Sequence, residues 1–365
     1  MYIHQLKDWP QFFWEESLLS KQLAQIRHQQ GRLLGRMEAL GFNLQEEASL
    51  QTLTLDVLKS SEIEGELLDT EQIRSSIARK LGMDIAGLIP SERDVDGIVE
   101  MILDATQKYT ATLTEDRLFG WHSSLFPTGR SGLYKIVVGA WRTNVKEDPM
   151  QVVSGAMGKE KIHYQAPDAE ILPDEMGAFI DWFNSEINVD PVIKAAIAHL
   201  WFVTIHPFDD GNGRIARALA DMQLTRSDAS KQRFYSMSAQ IRKERNTYYA
   251  MLEKTQKNSL NITTWLEWFL SCLGRALTAS ELSLAGILYK AKFWENHVNT
   301  MLNIRQKKML NKLLDGFEGV LNSSKWAKIN KCSSDTAVRD INDLIDKSIL
   351  KKEEAGGRST GYSLV

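Results

Sequence analysis

Apolar positions along this chain recur mostly at helical spacing. Between Glu16 and Leu40, Leu18, Leu19, Leu23 and Ile26 follow that period and predict a helix. A second helix is predicted from about Gln45 to Glu64, with Leu50, Leu53, Val57 and Leu58 on one side. Gly65 is its stop, because glycine takes the left-handed turn that ends helices. Asp69 and Gln72 form a capping pair for a third helix through Lys80, and another helix begins after Pro90. From Asp190 to Ile205 apolar residues lie nearly all round, which predicts a buried helix. Strand-like residues gather only between Tyr134 and Pro167. There "YKIVVGAWRTN" reads as strand, and "MQVVSGAMGKEKIHYQAP" as a β-hairpin with Gly155 and Gly158 flanking its turn. Helices resume at Pro173 and run to about Lys292.

Composition shifts at "WENHVNTMLNIRQKKML". Beyond it "RQKKMLNKLLDGF" predicts one helix. "NSSKWAKINKCSSDTAVRDINDLIDKSILKK" predicts helix, turn and helix, with Ser333 or Ser334 capping the second. "EEAGGRSTGYSLV" predicts a small hairpin turning at Gly356 and Gly357. Three helices and a hairpin outline a winged helix-turn-helix.

Charge and cysteine content narrow the classes. A net charge of −3 and a pI near 6.2 argue against a wholesale nucleic-acid binder and leave room for a local basic patch. Cys272 and Cys332 are too far apart for a metal spacing or a disulfide framework. The N-terminal "MYIHQLKDWPQFFWEE" lacks the basic-then-apolar layout of a signal peptide, and no apolar run approaches the ~20 residues of a membrane span. A cytoplasmic protein with no membrane partner is expected.

The chemistry concentrates in "HPFDDGNGR", His206 to Arg214. The buried helix delivers His206 at its end, and Pro207 cannot continue it. "FDDG" is a loop, with Phe208 its anchor in the core. "NGRIARALADMQL" starts a new helix, with Ile215, Ala218, Leu219 and Met222 as core stripe and Arg214, Arg217 and Asp221 on a separate one. A glycine-flanked helix start exposes unpaired N–H groups at the positive end of the dipole, which makes an anion site. Gly211 and Gly213 let the backbone approach a ligand, and Asn212 can donate to one more oxygen. Arg214 and Arg217 add guanidinium groups suited to phosphate oxygens. An acidic group there needs a cation between it and the anion, so Asp210 is a candidate Mg²⁺ ligand. His206 is the group able to take a proton near neutral pH. The sum is a phosphoryl- or nucleotidyl-transfer site. His199, two turns earlier, has no ligand spacing to His206 and reads as a buried, hydrogen-bonded histidine.

"HPFDDGNGRIAR" resembles the Fic family signature H-x-F-x-(D/E)-G-N-G-R-x-x-R at every specified position. The resemblance covers most of residues 95–285. It implies a mainly α fold: a Fic-type helical core with a small β-hairpin flap, an N-terminal helical extension and the C-terminal winged helix-turn-helix. Domains of 1–94, 95–294 and 295–365 follow. It further implies a protein adenylyltransferase that moves AMP from ATP to a Tyr, Thr or Ser hydroxyl of a protein and releases pyrophosphate. By that resemblance His206 is the general base, and Asp210 binds Mg²⁺. Asn212, with the amides around Gly211 and Gly213, holds the α-phosphate. Arg214 and Arg217 hold the β- and γ-phosphates, and Tyr248 and Tyr249 lie on the adenine side. The hairpin at about Gln151–Tyr164 resembles the flap that aligns the target.

"SSEIEG" resembles the family's inhibitory helix, (S/T)-x-x-x-E-(G/N), through Ser60, Glu64 and Gly65. Ser60 and Glu64, at i and i+4, share a helix face. The resemblance implies that Glu64 pairs with Arg217 in the γ-phosphate's place, or that it also helps remove AMP. The first hundred residues resemble the helical extension found before some Fic cores, and part of a homodimer interface is expected there. The C-terminal unit carries Lys325, Lys328, Lys331, Arg339, Lys347, Lys351, Lys352 and Arg358, but also Asp335, Asp340 and Asp343. DNA binding and protein docking both stay open for it. Two rivals stand beside AMP transfer: another Fic chemistry (AMP removal, UMP or phosphate transfer), and a transcription regulator whose core senses nucleotide.

Overall fold

A computed structural model describes the chain except residues 84–86, 156–158, 187, 315, 318 and 354–359. It divides into two compact units, Met1–Ser280 and Glu281–Val365. The first begins with α1 (Glu16–Glu38), α2 (Phe42–Glu64), α3 (Thr70–Leu81), α4 (Arg93–Gln107) and α5 (Glu115–Leu125). Two antiparallel hairpins follow, β1 (Arg130–Ser131) with β2 (Tyr134–Lys135), and β3 (Gln151–Ser154) with β4 (Lys161–Gln165). Then come α6 (Leu172–Asn184), α7 (Pro191–Ile205), α8 (Asn212–Asp228), α9 (Met237–Lys243), α10 (Arg245–Gln256) and α11 (Thr263–Asn296), of which the residues from Glu281 on belong to the second unit. The fold is mainly α, as the periodicity predicts.

α7 is the axis of this unit. Every residue from Val192 to Ile205 is buried, which is why its sequence is apolar all round. The Asp190 carboxylate accepts the Val192 N–H at 2.8 Å and caps the helix. Pro191 sits at the first turn, where no intrahelical N–H is needed. Arg27 of α1 pairs with the same Asp190 at 2.7 Å, fastening the N-terminal helices to the core.

α8 packs along α7 and is buried on all sides through Thr225. Its polar stripe is therefore covered rather than solvated. Asp221 pairs with Arg233 at 2.8 Å, and Arg217 and Arg214 meet the end of α2. α2 packs on α9 and α8. Leu50, Leu53 and Val57 are buried on it, but so are Thr54, Asp56, Ser60 and Ser61. More of α2 is enclosed than its leucine stripe predicts.

Local signals hold where the partners are neighbours. Gly65 ends α2 at φ +92. Asp69 accepts the Gln72 N–H at 2.8 Å, yet the Gln72 side chain accepts the Glu92 N–H at 2.9 Å instead of closing a capping box. In α1, Leu19 and Ile26 are buried while Leu18 is exposed, because the apolar stripe is narrower than its leucines suggest. "YKIVVGAWRTN" is not a strand beyond Tyr134 and Lys135. Its backbone crosses the His206 loop instead: the Val137 N–H donates to Asp209 Oδ2 at 2.8 Å and the Arg142 N–H to the Pro207 carbonyl at 2.9 Å. The second predicted hairpin forms as β3–β4, with Gly155 after β3 at φ +112 and Gly158 outside the described residues.

The second unit holds α12 (Ile304–Leu314), α13 (Ser323–Asn330), α14 (Ser334–Asp346) and the antiparallel pair β5 (Leu350–Lys352) and β6 (Tyr362–Leu364). Its core includes Met309, Leu310, Leu321, Trp326, Ile341 and Leu344. Ser333, not Ser334, caps α14 by accepting the Thr336 N–H at 3.2 Å. Gly356, Gly357 and Arg358 lie outside the described residues. Among the described residues no helix is long and apolar enough to cross a membrane. Cys272 and Cys332 are free thiols.

Candidate active site

His206 terminates α7 in the left-handed region, φ +52, where a non-glycine residue is uncommon and often functional. Its carbonyl accepts Arg142 Nε at 2.8 Å, and its own N–H donates to the Phe202 carbonyl at 2.9 Å. Those bonds hold the strained turn. Nδ1 lies 3.2 Å from the Val203 carbonyl. A carbonyl only accepts, so that contact places the proton on Nδ1 and leaves the Nε2 lone pair free. Burial pushes the imidazole pKa down to about 4, so the ring is neutral at pH 7.

Phe208 anchors the loop. It is fully buried and stacks on His122, with ring centres 4.1 Å apart and planes 8° apart. Such burial contributes roughly 1.5–3 kcal/mol. The same His122 has its Nε2 3.2 Å from the Asp210 carbonyl, and its Nδ1 accepts the Gly139 N–H at 3.2 Å. The Asn212 side chain closes the loop from the other end. Its Nδ2 donates to the Phe208 carbonyl at 2.7 Å, and its Oδ1 accepts the Phe208 N–H at 3.0 Å. Asn212 thus shapes the loop with its side chain, and its backbone N–H belongs to the start of α8.

Asp210 reaches the mouth of this loop. Its Oδ1 accepts the Gly211 N–H at 2.5 Å and its Oδ2 accepts the Ser131 hydroxyl from β1. Among the described residues no three His, Cys, Asp or Glu side chains gather as a metal cage. One carboxylate beside an anion cradle still suits Mg²⁺, which takes one or two carboxylates and fills its shell with phosphate oxygens and water.

The two arginines are claimed by the end of α2. Arg217 donates from Nε to Ser60 Oγ at 3.0 Å and from Nη2 to the Ser60 carbonyl at 2.9 Å, with Glu64 Oε1 2.8 Å from Nη2. Arg214 Nη1 is 2.6 Å from Glu66 Oε2, and its guanidinium lies 5.1 Å over the Phe126 ring. Arg245 of α10 donates to the Ile63 carbonyl at 2.6 Å, so a third cation holds the last turn of α2. Glycine at 213 leaves room for this contact: a Cβ there would stand 2.4 Å from Glu64 Oε1, so the Glu64 carboxylate would have to shift.

A cavity of about 660 Å³ opens beside the loop. His206, Asp210, Gly211, Asn212, Gly213 and Glu64 line one side; β3 and α10 line the others. Tyr249 lines it, with its hydroxyl 3.3 Å from Glu64 Oε2. Tyr248 lines it too, almost fully buried, its hydroxyl 3.1 Å from His199 Nε2. The β3–β4 hairpin is tied across the cavity. His163 of β4 has Nε2 2.6 Å from Ser154 Oγ and Nδ1 2.6 Å from Glu253 Oε2 on α10.

The structure brings together His206, Asp210, Gly211, Asn212, Gly213, Arg214 and Arg217 from one stretch, and Ser60, Glu64, Gly65, Tyr248 and Tyr249 from two others. Sequence reasoning missed Ser131, His122, His163, Glu253, Arg245 and Glu66. Only Glu66 carried a signal: an acidic residue directly after the Ser60–Gly65 motif.

Residues 112–224 match the Fic/DOC family, and residues 2–83 match a domain of unknown function, DUF4172. The chain is 43% identical over 60 residues to the protein adenylyltransferase fic-1 of Caenorhabditis elegans, 16% of this chain and 12% of the relative. It is 28% identical over 233 residues to the protein adenylyltransferase Fic of Culex quinquefasciatus, 60% of this chain and 41% of the relative. The chain thus matches well under half the length of these curated relatives. A Fic domain containing signaling protein from Bacteroides thetaiotaomicron superposes with a TM-score of 0.52 at 21% identity, over 72% of this chain and 97% of that one. At that identity the likeness speaks for the fold alone.

Proposed function

We propose that this chain, which belongs to the Fic family through residues 112–224, moves AMP from ATP to a Tyr, Thr or Ser hydroxyl of a protein. One observation carries the reading. A neutral His206 with Nε2 free lines the same cavity as the amides at the start of α8. A base and an anion cradle side by side are what nucleotidyl transfer to a hydroxyl requires.

In this reading the α-phosphate sits on the amides of Gly211, Asn212 and Gly213. The target hydroxyl approaches beside β3, which aligns it by strand pairing. Its oxygen forms a bond to Pα, the bond from Pα to the bridging β-oxygen breaks, and pyrophosphate leaves. The hydroxyl proton passes to His206 Nε2. Arg214 and Arg217 take the β- and γ-phosphates once α2 releases them, and Tyr249 and Tyr248 stand on the adenine side. Asp210 would hold Mg²⁺, which supplies positive charge to the phosphates when bound.

Glu64 is read as the brake on that reaction. Its ion pair fills the place beside Arg217 that a γ-phosphate needs. The C-terminal unit is read as a winged helix that docks protein rather than DNA. Asp340 holds Arg305 at 2.7 Å and Asp343 holds Lys347 at 2.6 Å, so part of its positive charge is spent internally.

The test is incubation of wild type, Glu64→Gly and His206→Ala with Mg²⁺ and α-labelled ATP, read by intact mass. One AMP gained by the Glu64 variant and absent from the His206 variant is the expected result. A gain of UMP in a parallel incubation with UTP, or of phosphate alone, would assign another Fic chemistry. No gain in any variant, with a pre-modified target losing its AMP, would assign removal.

A further inference from the structure

Two carboxylates, not one, meet the arginines of α8. Glu64 pairs with Arg217 at 2.8 Å, and Glu66 with Arg214 at 2.6 Å. Between them Gly65 takes the left-handed conformation, so the chain turns and both side chains reach α8 from one corner. The pairs run in opposite order along the two segments, Glu64 to Arg217 and Glu66 to Arg214: the arginines lie three residues apart on one helix face, and each has its own carboxylate.

Arg214 is nearly fully buried, and its Nε has no hydrogen-bond partner among the described residues. A buried guanidinium with a donor unused is costly unless an acceptor arrives. Neither Arg214 nor Arg217 lines the cavity, whereas His206 and Gly211 to Gly213 do. The resting cavity therefore offers a cradle for one phosphate; Glu64 lines its edge over Arg217, and Glu66, outside its lining, covers Arg214, so both cations that further phosphates need are held by carboxylates.

We propose that Glu66 occupies the β-phosphate position, so that the resting pocket selects a nucleoside monophosphate over the di- and triphosphate. The inference rests on the reading of this cavity as a nucleotide site. A β-phosphate would meet the Glu66 carboxylate at Arg214, and a γ-phosphate would meet Glu64 at Arg217. Both encounters set like charges together and break an ion pair. The Glu66 lock is also releasable. Its side chain is 44% exposed, and burial raises its proton affinity against the pull of Arg214, with Asp210 and Glu64 adding to the rise.

The experiment is calorimetric titration of AMP, ADP and ATP with Mg²⁺ into the full chain as wild type, Glu66→Ala, Glu66→Gln and Glu64→Gly. Wild type is expected to bind AMP at least as tightly as ADP. Each Glu66 variant should raise ADP affinity about tenfold, the worth of one charge-assisted contact, with AMP changed less than twofold. Glu64→Gly should instead improve ATP relative to ADP. An ADP-to-AMP ratio unchanged in both Glu66 variants overturns the inference; if Glu64→Gly still gains AMP in the mass assay, the transferase reading survives that loss. Failure of every variant to bind any nucleotide overturns both. The expected ratios without any AMP transfer leave the Glu66 assignment standing and remove the transferase.

Discussion

Glu64 Oε1 stands 2.8 Å from Arg217 Nη2, and the same guanidinium donates twice to Ser60, at 3.0 Å to Oγ and 2.9 Å to the carbonyl. One turn of α2 grips one enclosed arginine with three acceptors. Removing the charge should matter more than removing the hydroxyl. We expect Glu64→Gly to raise AMP incorporation at least about tenfold and Ser60→Ala about two- to threefold. Initial rates with α-labelled ATP check this, and incorporation equal to wild type in Glu64→Gly would refute the brake.

Gly213→Ala should act through the same contact. The added Cβ would stand 2.4 Å from Glu64 Oε1 and 3.2 Å from Arg217 Nη1. Overcrowding of this kind typically costs about 1–3 kcal/mol. In the Glu64→Gly background the nearer of the two clashing groups is gone, so the cost should fall by at least half. A double-mutant cycle on denaturant midpoints measures it; strict additivity would mean that Gly213 is needed for another reason.

His163 should set the flap rather than the chemistry. It joins Ser154 on β3 to Glu253 on α10 through two 2.6 Å contacts, and Lys257 and His163 together hold the Glu253 carboxyl down to about 2. His163→Ala is expected to raise KM for the protein target about fivefold while the Kd for ATP moves less than twofold. Equal losses in both would place His163 in the nucleotide site instead.

Acid should destabilise the first unit through its buried histidines. Burial pushes His122 down to about 4 and His199 down to about 3, from 6.5 in the unfolded chain. Both pKa values are depressed, so the unfolded state binds more protons between those limits. Stability is full above pH 6.5 and is lost as pH falls through that window. At pH 5 the loss is on the order of 2 kcal/mol for each histidine. A thermal midpoint lower by about 5–10 °C at pH 5 than at pH 7.5 is expected. A midpoint flat over that range would show that these rings protonate without cost.

Much of the site was legible because its parts are neighbours in sequence. The end of α7, the loop and the start of α8 lie within nine residues, from His206 to Arg214. Each is governed by nearest-neighbour chemistry: a proline that stops a helix, a glycine that starts one, a dipole at its first turn. The all-round apolar pattern of α7 reported its burial for the same reason. So did Gly65, Asp69 and Ser333, whose caps bond three or four residues away.

Other features depend on which distant segments meet. "YKIVVGAWRTN" has the composition of a strand, but its backbone groups found Asp209 and Pro207 instead of a neighbouring strand. Asn212 could have pointed at a ligand, and the loop took its side chain. Ser131 and Asp210, His163 and Glu253, and Glu66 and Arg214 lie 79, 90 and 148 residues apart. The sequence by itself determined the helices, their ends and the nine-residue cradle, since those follow from local backbone preference. Tertiary structure alone decided which carboxylates face Arg214 and Arg217, because a charge pair forms only where folding carries both partners into one buried corner.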